Sequence, residues 1–129
     1  MIYTGIGSRE TPADILTLMM VIGKTLAENN WVLRSGGAPG ADSAFERGAK
    51  GVGPMSIYLP WDGFNGRKAS DPGYVVVTGG KSIEAMALAS KAHPAWDRCS
   101  QAARLLHTRN MYQVLGENLD TPSDMVICW

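Results

Sequence analysis

The chain has 129 residues, enough for one domain around one core, and its 45% hydrophobic and 19% charged content is that of a folded globular protein. Twelve basic and twelve acidic residues cancel, so no global field draws the protein toward nucleic acid or a membrane surface. No basic start followed by a long apolar stretch opens the chain, and no run approaches the length of a membrane span, which gives a cytoplasmic expectation and no membrane partner.

The first element is a strand-like run, "MIYTGIG", that ends in glycines. "SRETPADILTLMMVIGKTLAENN" follows with a helix start: Thr11 as N-cap, Pro12 in the first helical position and Asp14 where a capping box wants an acid. Ile15, Leu18, Met19, Ile22 and Leu26 recur at helical spacing as one apolar stripe, with the Met19–Met20 pair as core filling, and Asn29 and Asn30 end the helix. "WVLRS" is a second strand, the glycine loop follows directly, and "ADSAFERGAK" is a short helix ending near Gly51. "MSIYLP" is a third strand, closed by Pro60. "WDGFNGRKASDPG" is a loop, and "YVVV" is a brief fourth strand or an extended segment. "SIEAMALASKA" is helical up to the Pro94 interruption, "AWDRCSQAARLLHTRNMYQVLGEN" is one long helix or two, and "DMVICW" is a final strand. Strands alternating with helices argue an α/β domain, a Rossmann-like parallel sheet with flanking helices.

In open α/β sheets ligands gather outside the carboxyl ends of the strands. Two glycine-bearing stretches fall there, "TGIGSR" and "SGGAPGAD". Glycines let main-chain N–H groups approach an anion, and the following helix adds its positive N-terminal end, so a phosphate is the natural guest. Neither stretch is a standard motif. Glu10 stands where G-x-G-x-x-G needs its last glycine, and "GGAPGAD" lacks the G-K-[ST] ending of a P-loop. A structural turn between strand and helix is the competing reading.

"GSR" after the first strand and "SGGAPGADSAFERGA" after the second resemble the SLOG superfamily, which includes the DNA-processing protein A (DprA) family, the LOG-type nucleotide phosphoribohydrolases and small phage and bacterial proteins. The loop is closest to the DprA pattern S-G-x-A-x-G-[IA]-D followed by G-A near the helix end, matched by Ser35, Gly36, Ala38, Gly40, Asp42, Gly48 and Ala49. "HTRNMYQ" is similar to the H-x-R-K-x-x-M stretch of LOG enzymes, with His107 and Arg109 in place and Asn110 where the lysine stands. The resemblance implies a single nucleotide-binding domain over residues 1–129, with ligand contacts from Gly7, Ser8, Arg9, Ser35, Gly36, Gly37, Gly40, Ala41, Asp42, Arg109 and Asn110. It makes Arg109 the one catalytic candidate. The family's second glycine motif and its catalytic glutamate would begin beyond "DMVICW", so the chain reads as lacking the last βα part of the family fold, truncated at its C-terminal end, and the complete hydrolase site is not carried over. The resemblance also implies a homodimer with sites near the interface.

Several residues keep two readings. Ser8 and Arg9 either donate to a phosphate or are ordinary turn and surface residues. Asp42 orients a ribose hydroxyl or caps the helix. Trp61 and Phe64 stack on a base or anchor their loop. Asn110 and Gln113 continue the apolar stripe of Cys99, Ala102, Ala103 and Leu106, so they either emerge into solvent or form a polar cluster facing a ligand. Arg109 lies on the flank of that stripe, and spacing does not bring it to the ligand edge of the sheet. Lys91, Arg98, Arg104 and Arg109 are a possible local basic face. Cys99 and Cys128 form no framework and read as core thiols, and His93 and His107 show no metal-partner pattern, so neither a metal nor a cofactor is expected. The function expected is binding of a nucleotide or nucleotide-derived ligand. LOG-like N-glycosidic hydrolysis, DprA-like single-stranded DNA binding and a non-catalytic nucleotide sensor or sequestering role stay open beside it.

Overall fold

The computed structural model describes residues 1–129. Five strands, β1 (Ile2–Ile6), β2 (Val32–Ser35), β3 (Met55–Tyr58), β4 (Tyr74–Val75) and β5 (Met125–Cys128), alternate with four helices, α1 (Ala13–Glu28), α2 (Ala41–Ala49), α3 (Gly80–Ala92) and α4 (Gln101–Leu115). All neighbours pair in parallel in the order β4-β3-β2-β1-β5. The fold is α/β and Rossmann-like, as the alternation of patterns implies. Strand order grows in one direction from β1 to β4 and then reverses, so β1 lies between β2 and β5.

Successive side chains of a strand point to opposite faces, and the two faces here differ in chemistry. Tyr3, Leu33 and Ile57 are fully buried with Phe45 of α2, and Tyr3 meets Phe45 and Trp31 edge-on at centroid distances of 6.1 and 6.4 Å. On this face α1 and α2 touch backbone to backbone. A Cβ on Gly23 would lie 2.6 Å from the Phe45 carbonyl oxygen, and one on Gly48 would lie 2.8 Å from Lys24 N. The other face, under α4, is held by polar bonds. Thr4 Oγ1 donates to the Gln113 carbonyl at 2.5 Å, Arg34 Nη1 donates to the Thr121 carbonyl at 2.5 Å, and the Tyr58 and Tyr112 rings pack 5.6 Å apart.

The structure corrects several local expectations. Pro12, not Thr11, holds the cap position of α1, because the Thr11 hydroxyl donates to the Ser8 carbonyl at 2.7 Å instead of accepting from the helix. Asp14 Oδ1 accepts from Ile15 N and closes no capping box. Leu18 leaves the apolar stripe and is 53% exposed, while Gly23 and Ala27 take the buried positions, since the close α1–α2 crossing favours small residues. "YVVV" contributes only Tyr74 and Val75 to the sheet. The last helical stretch divides into a 3-10 turn, Trp96–Arg98, and α4, whose N-cap Ser100 accepts from Ala103 N at 3.1 Å. Cys99 is half-buried and Cys128 exposed, so neither is a core thiol. No helix is long and apolar enough to cross a membrane.

Candidate functional site

A cleft of about 520 Å³ opens beyond the carboxyl ends of β1 and β5, where the strand order reverses. Ile6 at the end of β1 and Gly7 just after it line the cleft, with Cys128 from β5, Asp42 from α2, Leu106, Arg109, Asn110 and Val114 from α4, and Arg9 from the loop after β1. Such a reversal is where open α/β sheets bind ligands, because the loops on either side of it diverge and leave a crevice.

The two glycine loops meet beneath this cleft. The Ser8 carbonyl accepts from Ala41 N at 3.2 Å, which pins the loop after β1 to the first turn of α2. Gly40 makes this possible, with φ +85° and a would-be Cβ only 2.6 Å from the Ser8 oxygen and 2.7 Å from Arg9 Cα. Several main-chain donors are thereby engaged within the protein. Ser8 N donates to the Trp129 carbonyl at 3.3 Å, Ser43 N to the Ala38 carbonyl at 3.1 Å, and Ala38 N to Asp42 Oδ2 at 3.3 Å.

Asp42 is 4% exposed. Burial raises its carboxyl above the ordinary range, against the Arg109 charge and the amides of Ala38, Gly36 and Gly7, all of which favour the carboxylate. Its Oδ2 accepts from Ala38 N, so the side chain turns back onto the loop that precedes its own helix. Arg109, 5% exposed, faces it from α4. Burial pulls the guanidinium down to about 10, opposed by Asp42 and reinforced by Arg9, so it stays protonated at neutral pH. Its Nη1 donates to the carbonyls of Gly36 and of Tyr58, the latter at 3.2 Å, and its Nε to Asn110 Oδ1 at 3.0 Å. The Phe64 ring lies 5.5 Å from Arg109 Cζ. With its amide oxygen toward Gly36, Gln113 accepts from Gly36 N at 3.0 Å.

Of the residues singled out in the sequence, Gly7, Arg9, Asp42, Arg109 and Asn110 share this cleft. Gly36 sits directly beneath Arg109 and Gln113. Ser35 is fully buried and its hydroxyl donates to the Gly5 carbonyl at 2.6 Å, tying β2 to β1. Gly37, at φ +68°, offers its carbonyl to Asn65 Nδ2 at 3.0 Å. Ala41 is buried in the first turn of α2, and the Ser8 hydroxyl accepts from Glu10 N at 3.0 Å.

Trp61 and Phe64 form no stacking platform. Phe64 is buried, and Trp61 meets it edge-on at 5.3 Å. Nor do the four cations make one basic face. Lys91 and Arg98 are exposed, but Arg104 lies over the Trp96 ring at 5.3 Å and Arg109 is buried. One grouping was not legible in the sequence: His93, Cys99 and His107 converge beside the cleft, although their spacing matches no familiar ligand pattern. In comparisons with known proteins, no family model, no curated protein and no solved structure matches this chain.

Proposed function

We propose that the protein binds a nucleotide or nucleotide-derived ligand of nucleoside-monophosphate size in the cleft between β1 and β5. The observation that carries this reading is the cleft's position at the reversal of strand order, with a volume inside the range of about 300–1,000 Å³ common for small-molecule sites. The walls suit the parts of such a ligand. Arg9 is exposed, enters none of the ion pairs of the chain, and is the group that meets a phosphate. Asp42 accepts from a sugar hydroxyl, while Ile6, Leu106 and Val114 cover a base. Because so many amides of the glycine loops are engaged internally, the phosphate contact falls mainly to the Arg9 side chain, and the loops act by holding Asp42 and Arg9 in place. The resemblance of "GSR" and "SGGAPGAD" to the SLOG superfamily points the same way.

Calorimetric titration with AMP, GMP, CMP and UMP, and with the matching nucleosides, tests the proposal. At least one monophosphate binds one-to-one, and Arg9→Ala weakens it by roughly 10- to 100-fold while leaving the nucleoside nearly unchanged, the loss of one charge-assisted contact. Equal loss for both, or no uptake of any of these ligands, overturns it.

A second reading, hydrolysis of the base–ribose bond, has one observation in its favour. Asp42 is the one carboxyl group on the cleft wall, and burial holds it above its usual range, as proton transfer to a leaving base requires. Water would add to the sugar carbon as the carbon–nitrogen bond breaks and the base takes a proton. Chromatography of nucleotide incubated with the protein separates the two: intact nucleotide marks a binding protein, and free base that disappears in Asp42→Asn marks a hydrolase. The same family reading makes the protein a homodimer, with the unpaired outer edge of β5 and exposed Val126 and Trp129 as the natural contact; light scattering reads its mass.

A further inference from the structure

Beside the cleft, three side chains from three different local structures stand together. His93 caps the C-terminal end of α3, Cys99 follows the 3-10 turn Trp96–Arg98, and His107 lies within α4. The two imidazole rings are 4.4 Å apart, centre to centre, and inclined by 51°. Cys99 Sγ lies 3.8 Å from His93 Nδ1 and 3.9 Å from His93 Nε2, and one donor atom from each of the three residues lies within 4.8 Å of the others. All three are half-buried, so the group is reachable by a small ion yet partly shielded from solvent.

We infer that His93, Cys99 and His107 form a binding site for a late first-row divalent cation, zinc in the first place, with the fourth coordination position open. Two imidazole nitrogens and one thiolate are a borderline-soft donor set, which suits zinc and not magnesium or calcium, since those cations require oxygen ligands. Around a tetrahedral zinc, donors at about 2.0–2.3 Å from the metal stand roughly 3.4–3.6 Å from one another. The present donors therefore need to close by about 1 Å, a change within reach of side-chain rotation.

The local structure holds the ligands near this geometry. Ala95 N donates to His93 Nδ1 at 3.1 Å, and the Cys99 thiol donates to the Ala95 carbonyl at 3.6 Å. Both bonds give way on metal binding: the thiol proton leaves to solvent, and the metal takes a ring lone pair of His93. His107 also lines the nucleotide-sized cleft, so the open position is where water or a donor atom from the cleft's occupant completes the shell. The inference does not depend on what that occupant is.

The test uses the full chain, reduced and stripped of metal by a chelator, then titrated with Co²⁺ as the spectroscopic probe. One equivalent gives thiolate-to-cobalt charge-transfer absorption together with tetrahedral visible bands, and Zn²⁺ displaces both. Cys99→Ser removes the charge-transfer band, and either Cys99→Ser or His107→Ala weakens binding by roughly 100-fold, at least the loss seen when a supporting residue of a metal site is removed. Cys128→Ser, a thiol change in the same cleft, alters neither. X-ray absorption of the zinc-loaded wild-type protein, which needs no variant to fold, shows one sulfur and three nitrogen or oxygen neighbours, with imidazole scattering from two of them. Failure to bind one equivalent, a shell without sulfur, or a charge-transfer band that follows Cys128 overturns the inference.

Discussion

Arg109 and Gly36 leave each other no spare room: Arg109 Nη1 donates to the Gly36 carbonyl, and a Cβ on Gly36 would lie 2.5 Å from that same nitrogen and 2.7 Å from Cζ. The absence of a side chain at Gly36 is what lets α4 lay a buried cation across the end of β2. Gly36→Ala forces Arg109 and Gln113 away from the loop and costs about 2 kcal/mol or more in urea denaturation, the scale of overpacking in a tight interior. A change below about 0.5 kcal/mol would mean that α4 rides easily over the loop and does not fix it.

Gly40 has a stricter requirement, and the sequence gives an incomplete account of it. Read as part of an anion-binding loop, Gly40→Val is expected to abolish ligand binding and spare the fold. The structure corrects this, because Gly40 at φ +85° also carries the contact between the loops after β1 and β2. Gly40→Ala meets both an unfavourable backbone region and a clash with the Ser8 carbonyl, and costs about 3 kcal/mol. Gly63 supplies the comparison. It shares φ +85° but has ψ 0°, in the left-handed helical region, whereas Gly40 has ψ −126°, where only glycine is at ease, and nothing lies within 4 Å of a would-be Cβ on Gly63, so Gly63→Ala costs only about 1 kcal/mol. Similar losses at the two positions would show that neither the clash nor the glycine-only backbone at Gly40 adds to the cost.

Local chemistry made the elements legible, and it also explains what was not. Glycine-rich turns between apolar runs mark β1, β2 and the two loops, because few other residues take those backbone shapes. Gly48, matched only as part of a family pattern, turns out to be required where α2 presses on the backbone of α1. What the sequence hides depends on long-range closure. Arg109 reaches the carboxyl ends of β2 and β3 because the chain breaks at Ser100 and α4 restarts there, a break that helical periodicity leaves undecided. His93, Cys99 and His107 are joined by the same break, with the 3-10 turn folding Cys99 back beside the two rings. Asp42 could be read as a helix cap or a ribose ligand, but nothing in its sequence context says that its carboxylate engages the amide of Ala38.

Glu46 anchors the loop that places Phe64 under Arg109. Its Oε2 pairs with Arg67 Nε at 2.7 Å, and its Oε1 accepts from the Tyr74 hydroxyl at 2.6 Å, while Arg67 Nη2 also donates to Ser43 Oγ at 2.9 Å. Glu46 is 5% exposed, so removing it leaves Arg67 Nε and the Tyr74 hydroxyl proton without their acceptor. Glu46→Ala is expected to cost about 3 kcal/mol, at the low end for a broken buried pair because Arg67 keeps some access to water. The same variant loosens residues 61–73, which hydrogen exchange reads directly. Unchanged protection in that segment would show that the loop holds itself.

Tyr3 offers a substitution in the opposite direction. It is fully buried, and its hydroxyl has no hydrogen-bond partner. A buried hydroxyl without a partner costs about 1–3 kcal/mol, so Tyr3→Phe stabilises the protein by about 1 kcal/mol once a small packing loss is allowed for. The pH dependence follows from the same burial, which pushes the Tyr3 hydroxyl from 10.0 up to about 12. Between those values the unfolded chain has released this proton and the native protein still holds it, so the unfolded state binds fewer protons and stability falls as pH rises. The slope is about 1.4 kcal/mol per pH unit for each such group. Below the unfolded value of 10.0 the contribution is constant. Tyr112 is likewise raised to about 12, and Tyr58 and Tyr74 shift in the same direction, so the variant removes one share of the alkaline loss and not all of it. Urea midpoints between pH 7 and 11 measure both effects, with the gain of Tyr3→Phe over the wild type widening above pH 10. A variant less stable than wild type at neutral pH would place a hydrogen-bonded water on the Tyr3 hydroxyl.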